Sequence, residues 1–489
     1  MGMRECIEGP AGGSGPGAAL WTLTMASFLF PFLGAASNVA VPEVAREFQV
    51  GATTVSGFVI SFIVVSSMML LPAARLADLQ GRRRIFLAGA AIVALTSLAC
   101  GLAQTFGWLV AARAIQGVGG AMMGATSVAI LVAVFPADQR GRVLGINVAS
   151  VYLGLALGPL AGGLMVQQAG WRSLFWFSAL FAGLTVLLAW RCIRQEWREA
   201  RGESFDLAGA VTGALGLGLP TLGIAAWRFH AAGPLLAAAG LAMLPAFVLV
   251  ETRVRQPMMD IRAFARNRLF LWSNLAALIH YGSTFASTYL LSRYLQEVRG
   301  LDPREAGLLL VFAPAVQALF SPLAGRLSDR VSPRWLASGG MGLSAISLAL
   351  LAGVGTGSSL AGVAAVLTLQ GLGFALFSSP NTNAVMSSVD RRLYSMASAV
   401  LASMRQAGMT FSLAVVTLVL SVHLGDAPVT QEQGGAFVRG MGQSFGGFAL
   451  LCVAGVFASL ARGRGRAGDP PDRGGNRISA KGGEGWPKA

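Results

Sequence analysis

The sequence predicts an all-α integral membrane protein whose helices cross the bilayer fourteen times. Of its 489 residues, 54% are hydrophobic and only 12% are charged, whereas soluble domains carry about 25% charged residues. The mean hydropathy is +0.63, and apolar stretches recur at the length of roughly 20 residues that one bilayer crossing needs. Lipid is therefore the solvent for most of these side chains.

Fourteen apolar stretches are long enough to span, and we number them as spans 1 to 14 in chain order. They cover residues 19–41, 53–76, 84–104, 107–134, 142–167, 172–192, 206–228, 232–251, 269–296, 304–326, 334–354, 358–380, 393–422 and 440–461. The flanking segments, 1–18 and 462–489, are rich in glycine and proline, so we expect an N-terminal tail and a disordered C-terminal tail. No signal peptide is expected, because no basic segment precedes a short apolar core.

The net charge of +15 comes from arginines that cluster between spans, not along one basic face. The clusters lie between spans 2 and 3, 4 and 5, 6 and 7, 8 and 9, and 12 and 13: Arg82, Arg83, Arg84; Arg140, Arg142; Arg191, Arg194, Arg198, Arg201; Arg253, Arg255, Arg262, Arg266, Arg268; Arg391, Arg392. Cytoplasmic loops are the ones enriched in Lys and Arg. We therefore expect a multi-pass protein of the cell inner (plasma) membrane, with both termini cytoplasmic and no nucleic-acid partner.

The four cysteines are too far apart to form a metal site or a disulfide framework. We expect no metal and no cofactor, and we expect the cysteines to serve as small packing residues.

An internal repeat divides the chain. Residues 74–84 read ARLADLQGRRR after span 2, and residues 325–334 read GRLSDRVSPR after span 10. The two stretches occupy matching places if spans 7 and 8 are inserted between two six-helix bundles. The sequence thus predicts bundles at 19–192 and 269–461, joined by cytoplasmic linkers with two extra spans at 193–268. Duplicated halves are typical of transporters, which bind substrate between them.

Four motifs resemble those of the major facilitator superfamily, and within it the fourteen-span drug:proton antiporter family. They are ARLADLQGRRR, similar to the cytoplasmic gating motif with Asp78, Gly81, Arg82 and Arg83 in register; LVAARAIQGVGGA (109–121), with Arg113 and Gln116; GLALGPLAGG (154–163), similar to the antiporter motif; and NVAVP (38–42). The resemblance implies a major facilitator fold and proton-coupled efflux by alternating access. Its partners would be a small-molecule substrate, protons and the lipid bilayer, and we expect a monomer.

Span 5 carries the antiporter motif, with Gly154, Gly158, Pro159, Gly162 and Gly163. The first, second and third of its glycines recur every four residues, so they share one helix face. A face without side chains allows close helix approach, and the proline bends the helix. We expect this face to let the two bundles rock against each other; the alternative is tight static packing.

The gating loop contains Asp78, at the cytoplasmic end of span 2. A carboxylate there can accept hydrogen bonds from a helix N-terminus across the interface between the bundles, and the start of span 13, near Arg391 and Arg392, is the expected partner. Asp329 and Arg330 are the counterparts in the second bundle.

Arg113 lies about two turns inside span 4. A buried arginine costs at least about 2.5 kcal/mol on insertion scales and usually marks a pathway or a paired site. We expect it, with Gln116, on the transport pathway; the alternative is that its side chain extends to the outer surface.

The proton carrier is less clear from the sequence. Family members often carry an aspartate in span 1, five residues before the NVALP-like signature, where this chain has Leu33. The deepest remaining titratable residue is His280 in span 9, whose ordinary pKa suits proton exchange. A hydrogen-bonded core histidine is the alternative.

Further polar residues within the spans are candidates for the substrate cavity. They are Asn38, Tyr281, Gln317, Arg405 and Gln406. The sparse deep charge favours small apolar or amphipathic compounds, such as drugs or secondary metabolites. A proton-independent facilitator, a narrow metabolite exporter and, from another class, a transport-dead sensor or a membrane enzyme are the alternatives. No enzyme motif is visible, so we do not expect an enzyme.

Overall fold

The computed structural model describes residues 16–200, 202–226, 232–424 and 434–462. Their regular structure is helical, and we number the long helices in chain order. These are α1 Pro16–Phe48, α2 Gly57–Gln80, α3 Arg82–Gly101, α4 Phe106–Val134, α5 Arg140–Ala169, α6 Arg172–Cys192, α7 Leu207–Ala226, α8 Gly233–Arg253, α9 Arg268–Thr284 with Ala286–Arg293, α10 Pro303–Leu310 with Phe312–Arg330, α11 Pro333–Ala352, α12 Leu360–Ser387, α13 Tyr394–Leu424 and α14 Gly434–Leu460. Nearly all of both predicted tails, and Arg201, lie outside the described residues.

The prediction of an all-α membrane protein is confirmed. Thirteen of the described helices are long and apolar enough to cross a bilayer, and α9 occupies the remaining predicted span in two pieces. The first piece ends at Thr284, and a π-helical turn, Tyr294–Val298, follows the second. At the break, the backbone N–H of Ala286 donates to Ser412 Oγ on α13 at 3.1 Å. This side chain from another helix accounts for the interruption.

Two helices continue past the prolines at which their predicted spans end. Helix α1 contains Pro31 and Pro42 and reaches Phe48, and α12 continues past Pro380 to Ser387. In a membrane, neighbouring helices and polar side chains compensate for the hydrogen bond that a proline removes.

The arginine-rich loops meet at one end of the molecule, which we call the basic end. The loop after α2 contacts the loop before α13, since Arg82 binds the carbonyl of Arg391. The α4–α5 connection contacts the end of α10. Asn267, before α9, donates to the carbonyl of Ser388 after α12 at 2.6 Å. The clustering expected from the charge pattern is therefore present in three dimensions.

The packing of α1–α6, the N-terminal half, is repeated in α9–α14, the C-terminal half. Both α4 and α12 carry the sequence Gln-Gly-x-Gly. A Cβ on Gly117 would lie 2.6 Å from the carbonyl oxygen of Phe62 on α2, and one on Gly371 would lie 2.5 Å from that of Ala313 on α10. At each position only a hydrogen fits. The equivalent contacts indicate an internal duplication.

The two extra helices, α7 and α8, pack against each other and contact both halves through α7. On α2, Met68 occupies the space beside Gly218. On α13, the hydroxyl of Thr410 lies 3.3 Å from that of Thr221. The pair therefore lies against the seam between the halves.

Candidate transport site

Two tyrosines from different halves meet at the centre of the molecule. The hydroxyl oxygens of Tyr152 on α5 and Tyr281 on α9 are 3.2 Å apart, and both side chains are buried. The ring of Phe374 on α12 stands edge-on to both, at 5.3 and 5.1 Å between centroids. This group, which we call the tyrosine cluster, joins the halves through one polar contact in an aromatic surrounding.

A cation lies next to the tyrosine cluster, and a buried amide, Asn381, is adjacent in sequence to the α12 residue that this cation binds. The guanidinium of Arg405 on α13 lies 5.5 Å from the centre of the Tyr281 ring, and its Nη2 donates to Thr382 Oγ1 at 2.5 Å. Its Nε, and both polar atoms of Asn381, are buried without a hydrogen-bond partner among the described residues. Buried polar groups are nearly always satisfied. The site can therefore hydrogen-bond a polar group of a molecule that enters it.

His280 is fully buried behind this cluster. Its ring stacks on Phe377 at 4.1 Å and meets Phe374 edge-on at 4.6 Å, and its Nε2 lies 3.1 Å from Ser344 Oγ. Its Nδ1 has no described partner. The surroundings are those of a core histidine, and its part in proton coupling stays a prediction.

Arg113 lies inside the N-terminal half and is completely buried. Its Nε donates to the carbonyl of Phe58 at 3.2 Å, and its Nη1 donates to Gln116 Oε1 at 2.7 Å. The ring of Phe62 lies 4.4 Å from the guanidinium carbon. The alternative that this side chain extends to the outer surface is wrong, because carbonyl, amide and aromatic partners hold it inside.

Leu33, which stands where family members often carry an aspartate in span 1, lies near the network of Arg113. Leu33 is 1% exposed and lines a small gap with Phe62 and Gln116. A carboxylate at this position would face the network of Arg113, which instead contains no acid among its described contacts. All Asp and Glu residues of the described spans lie within two turns of a helix end.

At the basic end, Arg82 bridges the two halves. Its Nε donates to Ser395 Oγ, at the start of α13, at 2.7 Å, and its Nη2 donates to the carbonyl oxygen of Arg391, just before α13, at 2.8 Å. Asp78 pairs with this arginine at 3.2 Å. The expected partner region of the gating loop is thus the observed one, but the arginine makes the contact with the backbone and the aspartate supports it.

A second bridge joins the halves, and here the C-terminal half supplies the side chain and the N-terminal half supplies the backbone groups. Asp329, at the end of α10, accepts the backbone N–H groups of Gly141 at 2.7 Å and Arg142 at 2.9 Å, at the start of α5. A carboxylate at a helix N-terminus is stabilised by the helix dipole. The contact expected for Asp78 is therefore made by its counterpart. Arg330 is exposed.

Gly81 and Arg83 hold the gating loop in shape. Gly81 has a φ of +119°, which side chains disfavour, and a Cβ there would clash with Glu196. Arg83 donates to the carbonyl of Trp190, in the last turn of α6, and to that of Ile193, directly after it. The loop is thus fastened to the segment that leads to α7.

The glycine face of α5 packs against α1 within the N-terminal half. A Cβ on Gly158 would lie 2.6 Å from Ala35 Cβ, and one on Gly162 would lie 2.7 Å from Ala36 Cβ. The expectation that this face lies between the bundles is wrong, because periodicity shows which residues share a face but not which helix they meet. The two halves approach each other closely near the start of α5, where a Cβ on Gly145 would lie 2.5 Å from the carbonyl oxygen of Ser321 on α10.

The remaining cavity candidates are dispersed. Asn38 is exposed on α1, Gln317 is buried on α10, and Gln406 is half-buried next to Arg405. Tyr152 and Thr382 were missed by the sequence analysis. Tyr152 carried a usable signal, since it is one of only five tyrosines in the chain and lies two residues before the antiporter motif.

Comparison with known proteins identifies the family. The model of the Major Facilitator Superfamily matches residues 23–300 and 273–486. The chain belongs to the major facilitator superfamily. This agrees with the duplicated halves and with the gating motif at the basic end.

Relatives within this superfamily carry names of export proteins. The chain is 34% identical over 398 residues to the multidrug resistance protein Stp of Mycobacterium tuberculosis, covering 79% of this chain and 72% of that protein. It is 31% identical over 462 residues to the cephamycin export protein CmcT of Amycolatopsis lactamdurans, covering 91% and 93%. The comparisons thus show a transporter of the major facilitator superfamily that is similar to proteins named for multidrug resistance and for antibiotic export.

A solved structure supports the fold. The crystal structure of the human organic anion transporter MFSD10 (TETRAN) aligns with a TM-score of 0.63 at 15% identity, covering 94% of this chain and 100% of that one. At this identity the likeness concerns the major facilitator fold alone.

Proposed function

We propose that this transporter exports small apolar or amphipathic compounds from the cell in exchange for protons, by alternating access. The observation that carries the proposal is the tyrosine cluster, where Tyr152 and Tyr281 join the halves at the centre. A substrate that enters between the halves would replace this single hydrogen bond. It would therefore favour separation of the halves, as ligand-driven population shifts require.

The surroundings of the cluster favour an amphipathic substrate. Phe374 and the tyrosine rings offer apolar and edge-on aromatic contacts. Arg405 and Asn381 offer unmet hydrogen bonds and leave room for an anionic or carbonyl-bearing group. The names of the relatives, which include a cephamycin export protein and a tetracenomycin C resistance and export protein, agree with antibiotic-like substrates.

Closure at the basic end supports alternating access. The bridges made by Arg82 and Asp329 connect the halves at that end, and breaking them would open the centre to that side. Because the arginine-rich loops mark the cytoplasmic face, we propose that both termini are cytoplasmic in the plasma membrane. Residues 19–192 and 269–461 would move as bundles.

The test is transport into everted membrane vesicles. Inversion exposes the cytoplasmic face, so an exporter accumulates its compounds inside the vesicles. We expect energised vesicles to take up members of a panel of antibiotics and dyes, and we expect an uncoupler to abolish uptake. Uptake that resists the uncoupler would favour a proton-independent facilitator, and uptake of one compound alone would favour a narrow exporter. No uptake of any compound would favour a sensor.

Two variants sharpen this test. Tyr281→Phe removes the hydroxyl contact but keeps the ring, so we expect altered apparent affinity with export retained. His280→Asn removes the buried imidazole of α9, which is the candidate proton carrier. If the pH dependence of export is unchanged in this variant, His280 is not the proton carrier.

A further inference from the structure

Two buried carboxylates lie at the basic end of the extra helices. Asp206 precedes α7 and Glu251 lies in the last turn of α8, and they are 7% and 3% exposed. One oxygen of each is satisfied: Asp206 Oδ1 accepts the N–H of Gly209 at 2.9 Å, and Glu251 Oε2 accepts that of Met259 at 3.0 Å. The other oxygens, Asp206 Oδ2 and Glu251 Oε1, have no partner among the described residues.

The two unpartnered oxygens both lie beside Gly209. A Cβ on this glycine would lie 2.5 Å from Asp206 Oδ2 and closer still to Glu251 Oε1. The distance between the two oxygens therefore cannot exceed the sum of these two distances. Two ionised carboxylates at this separation repel each other strongly, and burial strengthens the repulsion. One shared proton removes the repulsion and supplies the missing hydrogen bond, as in other carboxylate pairs.

The charged groups around the pair do not replace that proton. Arg75 on α2 is buried and interacts electrostatically with Glu251, but its Nη2 donates to Glu203 at 2.8 Å. No hydrogen bond joins Arg75 to either carboxylate of the pair among the described contacts, and its Nε is buried without a described partner. The other charged side chains that flank the pair are exposed to solvent: Arg253, Arg255, Asp260, Arg262 and Arg266.

The segment before α7 connects the pair to the closed basic end. The N–H of Arg82 donates to the carbonyl of Trp197 at 3.0 Å, and that of Ala200 donates to the carbonyl of Asp78 at 3.1 Å. Arg82 and Asp78 are the residues that bridge to α13. A rearrangement at the pair would therefore reach the bridge through a few contiguous contacts.

We infer that Asp206 and Glu251 hold one proton between them while the basic end is closed, and that loss of this proton favours opening. This inference rests on the proposed proton-coupled export, since coupling requires a proton that one conformation binds more tightly than the other. The site provides a titratable group in a chain where Leu33 occupies the position of the family's aspartate.

The test measures the conformation directly and without substrate. Spin labels at Arg84→Cys on α3 and Trp335→Cys on α11 occupy exposed positions of opposite halves. Their distance is recorded in nanodiscs between pH 5 and pH 9, with Cys6 and Cys192 replaced by serine and the fully buried Cys100 and Cys452 retained. With Asp206 and Glu251 unchanged, we expect the distance between the labels to change in one step, from the closed to the open conformation, as the pH rises.

Neutral variants should remove this step. In Glu251→Gln or Asp206→Asn, the amide N–H can donate to the partner carboxylate in place of the proton, so we expect closure at every pH. Asp390→Asn is the matched control, because it removes an exposed carboxylate at the same end, and it should keep the wild-type step. Should an amide variant fail to purify as a monodisperse protein, Glu251→Asp retains a titratable pair and should shift the midpoint.

Several outcomes would overturn the inference. These are a wild-type step in both amide variants, an unmoved midpoint in Glu251→Asp, or a step that follows replacement of choline by sodium at fixed pH, which would indicate a cation site. The proposed function fails separately. An intact step with export that resists an uncoupler refutes proton-driven export but not the carboxylate pair.

Discussion

The two halves use one helix contact in different ways. In the N-terminal half α5 packs on α1, and in the C-terminal half α13 packs on α9 at the matching place. A Cβ on Gly154 would lie 2.5 Å from the carbonyl oxygen of Phe28, and one on Gly408 would lie 2.5 Å from that of Leu278. At this level the two contacts are equivalent, and each excludes any side chain.

One turn further along, the halves diverge. Gly158 continues the bare face of α5 against α1. At the same place α13 carries Ser412, whose hydroxyl accepts the N–H of Ala286, and α9 is interrupted there. The comparison teaches that the N-terminal contact is tight and apolar, whereas the C-terminal one holds a break in its helix by a hydrogen bond. We therefore expect α9 to bend during transport and α1 to keep its contact with α5.

The largest expected effect comes from filling the bare face. Gly158→Leu would force α1 and α5 apart, because even a methyl group would meet Ala35 Cβ at 2.6 Å, and overpacking of this kind costs about 1–3 kcal/mol or more. We expect export to be abolished while membrane insertion is retained, as measured in vesicles and by immunoblotting.

Alanine substitutions at two glycines of the antiporter motif provide the control. Gly158→Ala should impair export, whereas Gly163→Ala should not, because a Cβ there has its nearest described contact at 3.8 Å, with Val39. Unchanged export by Gly158→Leu would show that the tight contact is dispensable.

The next effect concerns a charge that only one half carries. Arg113 stands three residues before the Gln-Gly-x-Gly sequence of α4, and the corresponding residue of α12 is Leu367. We expect Arg113→Leu to lose export but to lower thermal stability by no more than about 1–3 kcal/mol, because the change removes the desolvation cost of a lone buried charge and leaves Gln116 Oε1 without its donor. Arg113→Lys should keep part of the activity. A loss of stability beyond this range together with lost export would instead make this arginine structural.

A smaller effect separates the two bridges at the basic end. Asp329→Asn weakens a helix cap and removes a charge from a helix N-terminus, which costs about 1 kcal/mol. We expect the open population to rise about fivefold, measured by the label pair at positions 84 and 335. Asp78→Asn should do less, because Arg82 keeps its bonds to Ser395 and to the carbonyl of Arg391. Equal effects would contradict this ranking.

The smallest effect comes from placing in the C-terminal half the residue type that the N-terminal half has at the matching place, a glycine. Ser412→Gly deletes the hydroxyl that accepts the N–H of Ala286, a bond worth about 1 kcal/mol. We expect faster hydrogen exchange at the break in α9 and export reduced by less than half. If exchange there is unchanged, the serine does not hold the break.

Much of the architecture could be predicted from the sequence, because it depends on properties of single segments. Apolar length gave the membrane helices, and the spacing of arginines gave the loops that meet at the basic end. The repeat after spans 2 and 10 gave the two residues, Asp78 and Asp329, that lie at the bridges between the halves.

Contacts between distant segments could not be predicted. The spacing of Gly154 and Gly158 showed a common face, but the partner helix depends on the packing of the whole half. The predicted span 12 ends at residue 380, which leaves Asn381 outside it, whereas surrounding helices allow α12 to continue to Ser387. The approach of Asp206 to Glu251 likewise depends on how α7 and α8 pair.

Both bridges at the basic end bind main-chain atoms on the receiving side. Arg82 binds the carbonyl of Arg391, and Asp329 binds the amide of Arg142. Every amino acid except proline supplies both of these groups, so sequence drift at positions 391 and 142 leaves the fastening intact. Transporters built in this way can therefore vary the residues of the loops at the basic end while they keep both bridges between the halves.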